Sequence, residues 1–173
     1  EGIPGDRIWA VRDEERGGIA GAKTLPALMS FSSRLPEPVV HGTSSPAEII
    51  FPDGAQASSA DLDINERLSA ALGHSVSLWP LQPADALDHY RRGEPTHADM
   101  ETELRAIFGR TPDEALPDLS VFPPEIFQFS SPPGTYFDAF PLLLLTAASL
   151  ATLQARAPKS RFDVRRFRPN FLI

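Results

Sequence analysis

The sequence contains no cysteine among its 173 residues. That absence excludes disulfide bonds, thiolate metal sites and cysteine nucleophiles within these residues. A long hydrophobic run is also missing: the stretch from Phe140 to Leu153 is interrupted by Pro141, Thr146 and Ser149, whereas a membrane span needs about 20 apolar residues. No signal peptide is recognisable. We therefore expect no membrane partner and, because a reducing compartment suits a cysteine-free chain, a cytoplasmic protein.

Proline is abundant, with 18 residues, while 42% of the chain is hydrophobic and 23% is charged. The last two values are typical of a globular protein long enough to bury a core without covalent staples. Proline interrupts long helices and favours loops and strand edges. The composition therefore favours an α+β fold that is mainly β.

The charge is unevenly distributed along a chain whose formal net charge is −7. Of its 16 basic and 23 acidic residues, six basic residues and one acid, Asp163, lie between 156 and 168, which leaves 10 basic and 22 acidic residues elsewhere. The basic cluster consists of Arg156, Lys159, Arg161, Arg165, Arg166 and Arg168. A net-acidic chain with one basic cluster does not resemble a nucleic-acid binder. The cluster is either a local anion site, a solvated charged turn, or a set of partners for the acids elsewhere.

Hydrophobic patterning predicts strands over 8–11, 48–51 and 76–79, a hairpin partner over 19–23 and a short strand over 25–31. Residues with capping-box spacing predict the starts of three helices, at Asp63 with Glu66, Thr96 with Asp99, and Thr146 with Ser149. Gly73 and Gly109 predict the ends of the first two, and Pro158 follows the third. We expect a core that contains Trp9, Val11, Ile50, Leu68, Leu72 and Leu78, and a buried strand over 142–145.

The run from Asp163 to Phe171 should be extended, because Pro169 biases Arg168 toward the β region. In a strand, alternate side chains share a face, which would hold Arg166, Arg168 and Asn170. Two guanidinium groups and an amide on one face suit a phosphate that is attached to a heterocycle.

At this run the sequence resembles the start of the MOSC domain, the domain shared with the C-termini of molybdenum-cofactor sulfurases. The resemblance is carried by 167–173 (Phe-Arg-Pro-Asn-Phe-Leu-Ile) and 145–150 (Leu-Thr-Ala-Ala-Ser-Leu). Residues 2–11, with Gly5-Asp6-Arg7, and 23–28 resemble the β-barrel domain that precedes it, and 131–138 resembles bacterial relatives. The implied organisation is a barrel-like N-terminal domain over 1–80, a proline-rich connection over 81–135 and the incomplete start of a MOSC barrel over 136–173. We therefore expect a fragment of a longer protein.

The resemblance implies a molybdenum-cofactor-binding oxidoreductase that reduces N-oxygenated small molecules and receives electrons from a donor protein or domain. Carried over by motif, the cofactor contacts fall on Thr146, Arg168 and Asn170, with Lys23 reaching the phosphate. Arg166 joins them through the strand-face argument above.

The sequence departs from the family pattern in three respects. The cysteine that ligates molybdenum in the family is absent, a Lys-Ser motif upstream of Gly5-Asp6-Arg7 is absent, and Lys23 stands where an arginine is usual. No metal ligand or catalytic residue can therefore be assigned. The alternatives are a sulfur carrier or sulfurtransferase in cofactor maturation and a non-catalytic binding module. Pyridoxal phosphate is associated with the family through sulfurase fusions, but no feature here would desolvate Lys23 or Lys159 for a Schiff base. The four histidines lack metal-like spacing.

Overall fold

The computed structural model describes residues 2–40, 43–122, 127–137 and 140–173. The strands and helices follow one another in this order: β1 (Trp9–Asp13), β2 (Gly18–Ala20), β3 (Ser32–Arg34), β4 (Glu48–Ile50), β5 (Gln56–Ser58), α1 (Ile64–Leu72), β6 (Val76–Pro80), α2 (Leu87–Tyr90), α3 (Met100–Phe108), β7 (Leu144–Leu145), α4 (Ala147–Arg156) and β8 (Phe171–Leu172). Two 3₁₀ helices, Pro26–Ser30 and Val164–Arg166, complete the description.

The first sheet is antiparallel, in the order β2-β1-β6. β1 pairs with β6 along its whole length, from Trp9 opposite Pro80 to Asp13 opposite Val76. Helix α1 precedes β6 in the sequence. It ends at Gly73, whose φ of 63° is the left-handed conformation that glycine adopts without strain. The predicted helix and its end are confirmed, although Asp63 makes no side-chain capping hydrogen bond.

The second sheet is antiparallel, in the order β3-β4-β5, and supplies part of the hydrophobic core. The core cluster consists of Ile49, Phe51, Ala57, Ile64, Leu68 and Val76, with Val11, Leu25, Phe31, Leu72 and Leu78 packed against it. The prediction was right for Leu68, and Val11, Leu72 and Leu78 are partly buried against the cluster. It was wrong for Ile50, since Ile49 is the buried residue, and Trp9 is half-buried outside the cluster. Because successive strand residues point to opposite faces, an error of one position reverses the side that is buried.

The segment expected to be a strand over 25–31 is a 3₁₀ helix over Pro26–Ser30. Proline is favoured in the first turn of a helix, where its missing N–H group is not needed. Leu25 and Phe31, at either side of this turn, still pack against the core.

The third sheet is a parallel pair, β7 and β8, connected through α4. The leucines before and within β7 were expected to be buried, and this was wrong: Leu142, Leu143 and Leu144 are exposed, Leu144 by 57%. Parallel strands are normally covered on both faces. In this chain β8 is the one strand paired with β7 among the described residues, and α4 buries no residue, so nothing in the described part covers the leucines.

Helices account for 25% of the chain and strands for 17%, in three small sheets. The fold is therefore a mixed one of helices and strands. The mainly-β expectation is not confirmed, and the described strands do not close into a barrel. Within the described ranges, no helix has the length and apolar character needed to cross a membrane.

Candidate functional site

The segment that carries the Arg-Pro-Asn motif is not the extended strand that the sequence predicted. Asp163 accepts a hydrogen bond from the backbone N–H of Arg165 at 2.9 Å and starts the 3₁₀ helix Val164–Arg166. Arg168 then has a φ of 49°, in the left-handed region rather than the β region. Helices often end with a left-handed residue one position after the C-cap, and here this preference overrides the influence of Pro169. The alternation that placed Arg166, Arg168 and Asn170 on one face therefore does not hold.

Asn170 is held by three hydrogen bonds at the start of β8. Its backbone N–H donates to the carbonyl of Leu143 at 2.8 Å, and its side-chain Oδ1 accepts from the backbone N–H of Leu143 at 2.9 Å. Its Nδ2 donates to Oδ2 of Asp6 at 2.8 Å. The Arg-Pro-Asn motif therefore meets the Gly-Asp-Arg motif directly, across 164 residues of sequence.

Thr146 is the N-cap of α4. Its hydroxyl oxygen accepts from the backbone N–H of Ser149 at 2.9 Å and lies 2.8 Å from the Ser149 hydroxyl, as the sequence predicted for this helix start. Thr146 follows the last residue of β7, whereas Asn170 lies beside Leu143, before the first residue. Since a strand rises about 3.3 Å per residue, the backbones of Thr146 and Asn170 are roughly 10 Å apart along the sheet.

Five members of the basic cluster are exposed and make no hydrogen bond or ion pair through their side chains with any described residue: Arg156, Lys159, Arg161, Arg166 and Arg168. Arg165 is the exception, since its Nε and Nη2 atoms bind the two carboxylate oxygens of Asp163 at 3.0 and 2.8 Å. This contact holds the pKa of Asp163 well below its usual range. The sequence left open that these cations form ion pairs with the acids elsewhere. In the described part of the chain they do not.

Lys23 lies in the turn between β2 and the first 3₁₀ helix, where its side chain is exposed. Two surface depressions of about 350 Å³ each are found elsewhere, one beside Pro46 and Gln56 and the other beside Asp85 and His89. Neither is lined by the residues predicted to bind a cofactor.

Asp6 and Arg7 belong to the Gly-Asp-Arg motif, for which the sequence predicts no function. Gly5 has a φ of 83°, which allows the sharp turn that brings the Asp6 carboxylate to Asn170. Arg7 lies 3.8 Å from the same carboxylate, and its guanidinium group lies over the ring of Phe137, 5.6 Å from the ring centre. A glycine followed by an acidic and a basic residue indicates a turn with two charged side chains. It does not indicate their partners, Asn170 and Phe137, which are distant in sequence.

A second polar cluster, also missed, joins the first sheet to the segment before β7. The Tyr136 hydroxyl donates to the carbonyl of Pro80 and accepts from Nε2 of His89, both at 2.8 Å. The adjacent Tyr90 is completely buried, and its hydroxyl donates to the carbonyl of Gln82. Burial and, to a smaller extent, the charge of Arg12 lower the pKa of His89, which favours the neutral imidazole.

A third cluster is the pair of Asp13 and His74. The Asp13 side chain is buried, and it accepts hydrogen bonds from His74 Nε2 at 2.9 Å and from the backbone N–H groups of Glu15 and Arg16 at 3.0 Å each. Burial acts to raise the pKa of Asp13, but these hydrogen bonds, with His74 foremost, hold it below its ordinary value. The contact with Asp13 in turn raises the pKa of His74.

Within the described ranges, no three His, Asp or Glu side chains come together in a way that would hold a metal ion. Comparison with known proteins identified no relative: no family model, no curated protein and no solved structure matches the chain.

Proposed function

We propose that this chain is part of a MOSC-type protein that binds the molybdenum cofactor and reduces N-oxygenated small molecules. In this proposal Lys23, Arg166 and Arg168 bind the phosphate, and Thr146 and Asn170 contact the pterin. The cofactor, when bound, supplies the redox chemistry, and electrons come from a donor protein or domain in the cytoplasm. The 1–80 and 136–173 regions are then parts of the N-terminal domain and of the MOSC domain of such a protein, although their described strands form small open sheets.

The observation that carries the proposal is the unpaired basic cluster. A folded chain with 22 acids outside the cluster has many possible partners for five cations, yet these five make no ion pair within the described residues. A cation that stays unpaired beside a surplus of acids is available for an anion from solution. Guanidinium groups bind phosphate through two parallel N–H donors, and the cluster contains four arginines that are available in this way.

The residues fit the phosphate and pterin parts of the cofactor better than its metal. The fit to phosphate rests on the arginines, and the fit to a heterocycle rests on Asn170, which retains one N–H and one lone pair beyond its three hydrogen bonds. A thiolate ligand is missing because the sequence has no cysteine. For the same reason no persulfide can be carried on these residues.

The proposal is tested by titrating the chain with a pterin phosphate ester and recording the quenching of pterin fluorescence. Arg168→Ala should weaken binding about ten- to a hundredfold, because a charge-assisted contact with phosphate contributes about 1.5–3 kcal/mol. Arg168→Lys should recover part of the affinity, since an ammonium group cannot make the two-pronged contact. Arg161→Ala removes the same type of exposed side chain from the same cluster, but at a position outside the Arg-Pro-Asn motif that carries the resemblance. It is therefore the matched control and should change binding little.

Arg168→Gly separates binding from folding. Glycine adopts a positive φ without strain, so this variant removes the guanidinium group and relieves the backbone at the same time. It should fold at least as well as Arg168→Ala and bind equally poorly. Equal affinities of the wild type, Arg168→Ala and Arg161→Ala, or no binding by the wild type, would remove the assignment.

A further inference from the structure

The Gly-Asp-Arg and Arg-Pro-Asn motifs meet at a point where the backbone is strained on both sides. Arg7 and Arg168 are the two non-glycine residues with a positive φ in the described chain, at 53° and 49°. Arg7 follows Asp6, and Arg168 precedes Asn170 by two positions. The left-handed conformation costs an L-residue about 1–2 kcal/mol. Strain of this kind persists where surrounding contacts determine the conformation, and it is concentrated at functional sites.

The contact between the two strained positions is the hydrogen bond from Asn170 Nδ2 to Asp6 Oδ2, 2.8 Å long. A carboxylate accepts hydrogen bonds and donates none, so it selects the NH₂ end of the amide. The other end, Oδ1, accepts from the backbone N–H of Leu143. The amide is therefore fixed at both ends, and its orientation about the last side-chain bond is determined.

Fixing the amide determines what Asn170 can offer to a ligand. One N–H of Nδ2 and one lone pair of Oδ1 are left, as a donor and acceptor edge of fixed direction. That edge lies two residues from Arg168, which is exposed and makes no side-chain hydrogen bond or ion pair with a described residue. The Asp6 side chain is partly buried, with 27% of it accessible to solvent.

We propose that Asp6 is a positioning residue for Asn170. It holds the amide in the orientation that presents a donor and an acceptor to a heterocycle, and it does so without touching the ligand. In this way the Gly-Asp-Arg turn of the N-terminal region contributes to a binding site in the C-terminal region. The effect of this positioning on ligand binding rests on the proposed function. The orientation of the Asn170 amide by Asp6 does not.

The positioning is tested first without a ligand, by following the side-chain NH₂ signals of Asn170 in ¹H–¹⁵N NMR spectra. In the wild type the proton bonded to the Asp6 carboxylate should be shifted downfield, so that the two shifts differ by more than in a free asparagine amide. Asp6→Ala should reduce the separation to that of a free amide, and Asp6→Asn should restore part of the difference, since an amide oxygen still accepts. Asp85→Ala, which removes an exposed carboxylate whose side chain makes no hydrogen bond or ion pair with a described residue, is the matched control and should leave the signals unchanged. Unchanged Asn170 signals in Asp6→Ala would overturn the proposal.

Binding of the pterin phosphate ester to the same variants is the second readout. Asp6→Ala should weaken binding about tenfold, and Asp6→Asn should weaken it less. Far-ultraviolet circular dichroism checks that each variant is folded. If Asp6→Ala does not fold, the test is made with Asp6→Asn. If the wild type binds and Asp6→Ala binds equally well, the positioning role is refuted while the proposed function stands. If the wild type does not bind but Asp6→Ala still alters the Asn170 signals, the proposed function fails and the positioning role stands.

Discussion

Tyr136→Phe removes one oxygen atom and should destabilise the protein by about 2 kcal/mol. The change deletes the donor to the Pro80 carbonyl and the acceptor of the His89 N–H group, each bonded at 2.8 Å. Leaving a buried polar group without a partner costs about 1–3 kcal/mol. We expect a value near the middle of that range because Tyr136 is 9% exposed whereas His89 is half-buried and can find water. The aromatic packing of the ring against His89 and Tyr90 is unchanged by the substitution.

The measurement is urea unfolding, with the midpoint and the slope fitted separately. A loss of stability alone lowers the midpoint and keeps the slope, whereas a change of slope would mean that the unfolded or folded state has changed in compactness. In a thermal scan about 2 kcal/mol corresponds to roughly 4–8 °C for a chain of this size. Tyr90→Phe, which deletes the hydrogen bond of a completely buried hydroxyl to the Gln82 carbonyl, tests the same reasoning at a neighbouring position and should lose a similar amount.

The pH dependence provides an independent check on the same cluster. The pKa of His89 is lowered in the folded state by burial and by Arg12, below the ordinary value of 6.5. At this histidine the unfolded state therefore takes up a proton more readily than the folded state, and the contribution of His89 to stability should fall as the pH drops below about 6.5. His89→Gln should reduce this dependence. A free energy of unfolding for Tyr136→Phe within about 0.5 kcal/mol of the wild-type value, the usual effect of a neutral surface substitution, would refute the reasoning.

Two further outcomes follow from other parts of the fold. The pKa of His74 is raised above 6.5 and that of Asp13 is lowered below 3.8. The pair therefore stabilises the fold most between pH 3.8 and pH 6.5. The stabilisation is lost as the pH rises through the folded-state pKa of His74 or falls through that of Asp13. The loss of stability in His74→Ala should therefore be larger near pH 5 than near pH 9 in urea titrations, and equal losses would contradict the pairing. Leu68→Ala, at a position 2% exposed, should cost about 2–5 kcal/mol, while Leu62→Ala, at a fully exposed position, should cost less than about 0.5 kcal/mol in the same assay. Similar midpoints for these two variants would mean that Leu68 is not in the core.

The elements that could be predicted from the sequence are those determined by near neighbours. Gly73 and Gly109 end their helices in the left-handed conformation, as a glycine after an apolar periodic segment predicts. Thr146 caps α4 through a contact three residues away. The start of α3 was displaced, because Asp99 and not Thr96 is the N-cap, although the side chain of Asp99 does accept the expected type of hydrogen bond from Thr102. A shift of this size arises because adjacent polar residues compete for the same cap position.

The parts that could not be predicted depend on distant residues. The conformation of Arg168 is opposite to the preference that Pro169 imposes, since the 3₁₀ helix started by Asp163 has to end there. The Asp6–Asn170 contact joins positions 164 residues apart, and no local pattern specifies it. The choice of Ile49 over Ile50 in the core follows from the pairing of β4 with β5, in which Ile49 lies opposite Ala57. The separation of Thr146 from Asn170 likewise required the register of β7 and β8.

The span of the Asp6–Asn170 contact determines when it forms during folding. Closing a loop of 164 residues has an entropic cost that local hairpins and helices do not carry. The β1–β2 hairpin and α1 can form beforehand, since their partners lie within a few residues. The contact should therefore be absent from the transition state, so that breaking it with Asn170→Ala accelerates unfolding and leaves the refolding rate nearly unchanged. The contact would then lower the unfolding rate, and so prolong the lifetime of the folded state, while it has little influence on the folding rate.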